Sequence, residues 1–107
     1  MILDTGLRTD DLEHIRKALD QVPGLRMAVV FGSRAKGTHR PGSDVDLAIF
    51  GESVKAADLV RLSEQLNEDS PLPYRFDVVQ YETLASEDLR SHIDRVGLRI
   101  WPETSLT

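Results

Sequence analysis

The 107-residue chain contains no cysteine. This absence excludes disulfides, thiolate zinc sites, iron–sulfur clusters held by cysteine and thiol catalysis. Long hydrophobic runs are also missing, because the longest strictly apolar stretch covers only residues 27–31, and a membrane helix needs about 20 apolar residues. The first residues reach an acid at Asp4 before any hydrophobic segment of a signal peptide can form. We therefore expect no secretion signal, no membrane partner and a cytoplasmic location.

Positive charge is in short supply. Lys and Arg number 13 against 18 Asp and Glu, which gives a formal net charge of -5. An acidic chain is poorly suited to non-specific nucleic-acid binding, which depends on neutralising phosphates, so we expect no direct nucleic-acid partner. Hydrophobic residues make up 40% and charged residues 29% of the chain, which is ordinary globular usage. The length predicts a single domain over residues 1–107, with its core at about 10–101.

The positive charge that is present is concentrated in one segment. Residues 21–43 contain four bases and no acid, whereas the rest of the chain holds the other nine bases and all 18 acids. The four bases are Arg26, Arg34, Lys36 and Arg40. Such an island is either a solvated basic loop or a local anion site. Charge alone leaves both interpretations open.

The hydrophobic periodicity predicts alternating helices and strands. We expect helices at about residues 10–22 and 54–67 and one that begins at Thr83 or Ser86, with strands at about 25–31, 44–50 and 74–80. A short helix at 34–36, a turn at Pro41-Gly42 and an edge strand at 98–101 complete the pattern. This order predicts an α+β or α/β fold in which a small mixed sheet is flanked by helices.

Capping signals and apolar stripes locate the helices more closely. Asp10, with Glu13 three residues later, predicts a capping box on the first helix, and Ser53 predicts the cap of the second. The expected buried stripes are Leu12, Ile15, Leu19 and Val22 in the first helix, Leu59, Val60, Leu62 and Leu66 in the second, and Leu89, Ile93 and Val96 in the last.

Three aspartates lie in predicted strands, although aspartate is a poor strand former. Asp44 and Asp46 are two residues apart, so both carboxylates lie on one face of their strand and its apolar residues lie on the other. Neighbouring carboxylates repel unless a cation offsets them, and Mg²⁺ prefers oxygen ligands. If the strand of Asp77 is adjacent, three carboxylates converge as in a two-metal site. The alternatives are a solvated acidic face and a salt bridge from Asp77 to a base such as Arg75.

Gly32-Ser33 follows the first predicted strand and precedes the short helix. Glycine lets a phosphate approach the backbone, and N–H groups at a helix start bind anions. The Ser33 hydroxyl and the charges of Arg34 and Lys36 would add to such a site, whereas the alternative is an ordinary turn. The segment is not a P-loop, because Gly37 is followed by threonine instead of lysine, and no Gly-x-Gly-x-x-Gly motif is present.

The three histidines have no metal-ligand spacing between them. We predict that His14 and His92 are surface residues on helices, and that His39, in the basic loop, is a candidate phosphate contact. Ser33 is not predicted as a nucleophile, because the sequence places no base beside it.

The combination of Gly32-Ser33, ten further residues and Asp44-x-Asp46 resembles the signature of the DNA polymerase β-type nucleotidyltransferase superfamily. The segment Gly-Ser-Arg-Ala-Lys-Gly, followed by Gly-Ser-Asp-Val-Asp-Leu-Ala, resembles the corresponding segments of the minimal nucleotidyltransferase branch in particular. The order of helices and strands and the third aspartate, Asp77, also resemble that family, over about residues 10–101. The resemblance implies a single-domain nucleotidyltransferase fold with an active site, since no carboxylate that the family requires is missing.

The resemblance also implies a reaction. A nucleoside triphosphate, by preference ATP, binds together with Mg²⁺, and two Mg²⁺ ions are expected. An acceptor hydroxyl then attacks the α-phosphate, so that AMP is transferred and pyrophosphate leaves. The implied catalytic residues and metal ligands are Asp44, Asp46 and Asp77, the last being also a candidate base. The implied nucleotide-binding residues are Gly32, Ser33, Arg34 and Lys36.

Minimal members of the family resemble antitoxins of prokaryotic toxin–antitoxin pairs. This implies a HEPN-type ribonuclease toxin as partner in a hetero-oligomer, and adenylylation of a tyrosine on that toxin. Only 30 residues follow Asp77, so we expect another molecule to hold most of the acceptor. Two alternatives stay open: an antitoxin that neutralises its toxin by binding alone, and a nucleotidyltransferase that modifies a small molecule.

Overall fold

The structure is a computed structural model that describes residues 5–40 and 42–102. Residues 1–4 lie outside the described residues, and so does Pro41 of the predicted Pro41-Gly42 turn. The helices are α1 (Thr9–Leu19), α2 (Ser33–Lys36), α3 (Ala56–Asn67) and α4 (Glu87–Val96). The strands are β1 (Met27–Phe31), β2 (Val45–Phe50), β3 (Phe76–Gln80) and β4 (Leu98–Trp101), with a 3-10 turn at Tyr81–Thr83. The predicted order of elements is confirmed.

The four strands form one mixed sheet in the order β3-β2-β1-β4. β1 is antiparallel to both of its neighbours, and β2 is parallel to β3. Parallel neighbours need a crossover connection, which α3 supplies between β2 and β3. The expected small mixed sheet with flanking helices is therefore present.

The two faces of the sheet are covered by different helices. The larger core packs one face against α1 and α3, and it includes the inward residues Val45, Leu47 and Ile49 of β2. On the opposite face, Ile93 of α4 packs with Ala48 of β2 and with β1. The alternation predicted for β2 is confirmed, because successive residues contribute to opposite cores. Asp44 and Asp46 belong to the α4 face by the same alternation.

Several predicted helix details are wrong, and in each case a side chain from the first turn explains the difference. α1 begins at Thr9 because the N–H of Arg8 donates to the Asp11 carboxylate at 2.9 Å, so Asp10 and Glu13 form no capping box. Likewise, the N–H of Lys55 donates to Asp58 at 3.2 Å, and α3 begins at Ala56 without a cap from Ser53.

The predicted apolar stripes hold with one exception. Val60 is 57% exposed, while Leu62 and Leu66 of the same helix are buried. In α4, Ser86 is the N-cap, accepting the N–H of Leu89 at 3.2 Å, and the helix ends at Gly97, as predicted. No helix within the described ranges combines the length and the apolar character that a membrane crossing requires.

Candidate active site

The three aspartates lie together at one end of the sheet. Asp46 of β2 and Asp77 of β3 are direct partners in the parallel register, which places their backbones about 4.8 Å apart with both side chains on the same face. Asp44 directly precedes β2, and it is near enough for its charge to act on Asp46. The sequence left open whether the strand of Asp77 is adjacent to that of Asp46, and the structure shows that it is.

The electrostatics of this group are unfavourable in the absence of a cation. Asp46 is half-buried, whereas Asp44 and Asp77 are exposed. Burial raises the pKa of Asp46, and the negative charges of Asp77 and Asp44 raise it further. The ionised form of Asp46 is therefore disfavoured by both desolvation and repulsion.

The donor chemistry of this cluster fits a hard divalent cation. Carboxylate oxygens are ligands that Mg²⁺ prefers, and Mg²⁺ is usually held by one or two carboxylates together with substrate phosphates. In the described part of the chain, no three ligand-type side chains are close enough to hold a metal ion by themselves. The cluster therefore fits an open site, in which a substrate supplies the remaining oxygens, better than a closed cage.

Gly32 lies directly against these carboxylates. It ends β1 with φ +74° and ψ -151°, a conformation that essentially only glycine adopts. A Cβ atom at this position would lie 2.2 Å from Oδ2 of Asp46. The absence of a side chain thus serves two purposes, since it permits the backbone conformation and leaves room for the Asp46 carboxylate beside the Gly32 backbone.

The segment that follows Gly32 forms the predicted short helix. Ser33 begins α2 and is partly exposed, Lys36 ends it and is exposed, and Gly37 caps it in the left-handed conformation. The N–H of Thr38 donates to the carbonyl of Ser33 at 2.9 Å, which closes the turn. The structure therefore places Ser33 next to the carboxylate cluster and leaves the Lys36 side chain in solvent.

Arg34 takes a different position from the one the sequence suggested. It is only 2% exposed. Its guanidinium donates to the carbonyl of Thr5 at 2.7 Å and to the carbonyl of Ser43 at 2.8 and 3.2 Å, and it lies 4.8 Å from the centre of the Tyr74 ring. These contacts give Arg34 a structural role. Its predicted contact with a triphosphate stays a prediction that these contacts do not support.

Of the three histidines, His92 differs from expectation, and the predicted phosphate contact of His39 stays a prediction. His92 is partly buried and engaged with the fold instead of lying free on the surface: its Nε2 accepts the N–H of Gly32 at 3.2 Å, and its ring packs edge-on against Phe31. His39 is partly buried, and its Nδ1 is buried without a hydrogen-bond partner in the described residues. His14 is exposed, as predicted. His92 lies three residues after Leu89 and four before Val96, so helical periodicity places its imidazole on the predicted apolar stripe. This spacing could have predicted that the imidazole is partly buried.

Comparison with known proteins agrees with this geometry. Residues 13–104 match the polymerase beta nucleotidyltransferase family, and the chain therefore belongs to that family. It is an enzyme of the nucleotidyltransferase class, as the sequence predicted. The residues matched cover both strands of the carboxylate cluster and the Gly32-Ser33 turn.

Three known proteins show what kinds of protein the chain is similar to. The chain is 37% identical over 93 residues to the probable protein adenylyltransferase MntA of Haemophilus influenzae, covering 84% of this chain and 78% of that protein. It is similar to the crystal structure of a toxin–antitoxin with AMP-PNP, with a TM-score of 0.71, 28% identity and coverage of 85% and 73%. It shares its fold with a chain in the complex of a tri-AMPylated Shewanella oneidensis HEPN toxin and an MNT antitoxin, with a TM-score of 0.63, 24% identity and coverage of 84% and 68%.

Proposed function

We propose that this nucleotidyltransferase is an antitoxin that transfers AMP from ATP to a tyrosine hydroxyl of a HEPN-type ribonuclease toxin, with release of pyrophosphate. The observation that carries the proposal is the direct pairing of Asp46 with Asp77, with the backbone of Gly32 packed against Asp46. A curated relative named as a probable protein adenylyltransferase supports a protein acceptor. The similarity to a toxin–antitoxin structure with AMP-PNP supports both the toxin partner and the adenine nucleotide.

The order of groups across the sheet suits an in-line transfer. Asp77 lies on β3, the outer strand of the described sheet, Asp46 lies on β2, and Gly32 ends β1 on the far side of Asp46. In this arrangement the acceptor approaches at the exposed β3 side, and the triphosphate lies towards Gly32 and Ser33. The attacking and leaving oxygens then stand on opposite sides of the α-phosphorus, as a displacement requires.

Each group has a distinct role in the proposed step. The tyrosine oxygen forms a bond to the α-phosphorus while the bond from that phosphorus to the bridging oxygen breaks, and the electron pair leaves with pyrophosphate. Asp77, which is exposed, takes the proton of the hydroxyl. Asp44, Asp46 and Asp77 would hold Mg²⁺, which when bound neutralises phosphate charge and lowers the pKa of the attacking hydroxyl.

The triphosphate contacts divide between two kinds of residue. Ser33 directly follows Gly32 and is partly exposed, so its hydroxyl is available to a phosphate, and Lys36 offers a solvent-facing charge on the same short helix. Arg34 stabilises the loops before and after it, because its guanidinium donates hydrogen bonds to the carbonyls of Thr5 and Ser43. We therefore assign direct contact to Ser33 and Lys36 and support to Arg34.

The test combines the chain with a candidate HEPN-type protein, to be sought in the adjacent reading frame. Incubation with ATP and Mg²⁺ is expected to add AMP to a tyrosine of that partner, detected by intact mass and peptide mapping, with matching release of pyrophosphate. The variant Asp44→Asn/Asp46→Asn should still bind the partner but lose both modification and protection of cells. The matched control is Asp10→Asn/Asp69→Asn, which makes the same charge change at two exposed sites outside the cluster.

Other outcomes would contradict the proposal. If the Asp44→Asn/Asp46→Asn variant protects cells as well as the unmodified chain does, neutralisation occurs by binding alone. If pyrophosphate is released with small hydroxyl compounds while the partner stays unmodified, the acceptor is a small molecule.

A further inference from the structure

His92 connects α4 to the turn that begins the candidate nucleotide site. The Nε2 atom of His92 accepts the N–H of Gly32 at 3.2 Å, across 60 residues of sequence. The imidazole also meets the ring of Phe31, the residue before Gly32, with 6.1 Å between centroids and an interplanar angle of 78°. One side chain of α4 therefore contacts both residues at the end of β1.

The hydrogen bond serves a peptide group that needs a partner. Gly32 follows the last β1 residue in the ladder, since Phe31 pairs with Asp46 and the register ends there. The Gly32 N–H is partly buried, and a buried donor without a partner is costly. A ring nitrogen that accepts a hydrogen bond carries no proton, so this bond requires Nε2 to be the unprotonated nitrogen of His92.

The orientation of this peptide decides where the Asp46 carboxylate can lie. Gly32 has the glycine-only combination of φ +74° and ψ -151°, and its Cα lies close to Oδ2 of Asp46. Rotation of the peptide between Phe31 and Gly32 would move both the carboxylate and the start of α2 at Ser33. A bond that fixes this peptide thus fixes the relative positions of the two halves of the site.

We propose that His92 is a positioning residue for nucleotide binding, which holds the Gly32 peptide so that Ser33 and Asp46 face the triphosphate together. This inference rests on the proposed function, because it assigns the nucleotide to the Gly32-Ser33 turn. It predicts that the hydrogen-bond acceptor of residue 92 matters for nucleotide affinity, and that its ring shape alone is insufficient. A purely structural role would depend on the packing against Phe31.

Two substitutions separate these roles. His92→Phe keeps an aromatic ring against Phe31 but removes the acceptor, whereas His92→Gln keeps an oxygen at a similar reach and removes the ring. The control is His14→Gln, the same substitution at an exposed position of α1. Thermal unfolding of all three variants establishes whether each one is folded before any binding is measured.

The first measurement uses the protein alone. In a ¹⁵N-labelled sample we expect a scalar coupling through the hydrogen bond between the Gly32 amide nitrogen and Nε2 of His92, together with the Nδ1–H tautomer. The second measurement is the Kd for a non-hydrolysable Mg-ATP analogue by calorimetry, with the KM for ATP where the partner is modified. His92→Phe should raise both by about 2- to 10-fold, with a smaller change in kcat, and His92→Gln should recover most of the loss.

The outcomes distinguish this inference from the proposed function. An unchanged or lower Kd in His92→Phe overturns the inference, because the bond then either has no effect on the nucleotide or competes with it. A wild-type protein that binds the nucleotide but modifies no partner refutes the proposed acceptor, while the Kd comparison still decides the role of His92. Equal losses in His92→Phe and His92→Gln would also overturn it, since the ring would then be the essential feature.

Discussion

Substitution of Gly32 by alanine is the most direct test of how the fold creates this site. The new Cβ would lie 2.2 Å from Oδ2 and 3.2 Å from Cγ of Asp46. Ordinary van der Waals contact begins at 3.4 Å, so the carboxylate has to retreat by roughly 1 Å. The backbone cannot relieve the clash easily, because φ at this residue is +74°. The substitution therefore acts on the Asp46 side chain and on the backbone at the same time.

The expected effect on activity is larger than the effect on folding. Displacement of a reacting group by about 1 Å costs on the order of 100-fold in rate, and we expect at least that loss in kcat/KM. A non-glycine residue in this region of φ and ψ costs about 1–3 kcal/mol of folding free energy, which lowers Tm by about 4–15 °C in a domain of this size. The variant should thus stay folded at room temperature but transfer very little AMP.

The control is Gly24→Ala, in the connection between α1 and β1. Gly24 has nearly the same φ, +78°, and a Cβ there would meet Cβ of Ser53 at 2.9 Å. It precedes β1, whereas Gly32 ends it. We expect Gly24→Ala to lower Tm comparably and to leave kcat/KM unchanged. Our account would be refuted if Gly32→Ala kept kcat/KM within about threefold of the unmodified chain, since a loss on the order of 100-fold is expected.

Four further substitutions test charged residues in and around the site. Because the pKa of Asp46 is raised in the folded state, the fold loses stability as pH rises through that pKa and the carboxyl ionises. Asp46→Asn should therefore raise Tm at neutral pH without Mg²⁺ by about 1–5 °C. At about pH 3 the carboxyl is neutral in both the folded and the unfolded state, so Asp46→Asn should leave Tm unchanged there. Arg34→Lys should lower Tm by about 5–15 °C through the loss of buried hydrogen bonds, whereas Lys36→Gln should leave Tm unchanged and raise the KM for ATP severalfold. Asp77→Asn should lower kcat by about 10²- to 10⁴-fold while nucleotide affinity changes less, and unaltered kcat would exclude it as the base.

Features with a local cause were predictable from the sequence. The alternation in β2 sends Leu47 to the α1–α3 core and Ala48 to the α4 core, because successive strand residues point to opposite faces. The order of elements follows from such periodicities and from glycine and proline positions. The resemblance of Gly32-Ser33, Asp44 and Asp46 to a known signature indicated a candidate site, and the structure places Gly32 directly against Asp46.

Features that depend on distant parts of the chain were not predictable. Arg34 reads as a free cation in the sequence, but its hydrogen-bond partners, the carbonyls of Thr5 and Ser43, are brought to it only by folding. His92 reads as a surface residue, but the peptide it serves lies 60 residues away. Helix starts were misplaced for a related reason, since Asp11 and Asp58 cap from inside the first turn instead of preceding it.

The site is also where the sequence departs from what stability alone would favour. Asp46 is half-buried beside two other carboxylates, although asparagine would remove the repulsion at little steric cost. Gly32 adopts a conformation that essentially only glycine reaches, and a side chain there would also collide with the Asp46 carboxylate. The two costs lie side by side, because the Asp46 carboxylate that carries the repulsion is also the group that leaves no room for a Cβ at Gly32. Two neighbouring departures of this kind, one electrostatic and one conformational, are typical of functional sites and are not expected where stability alone decides the residue.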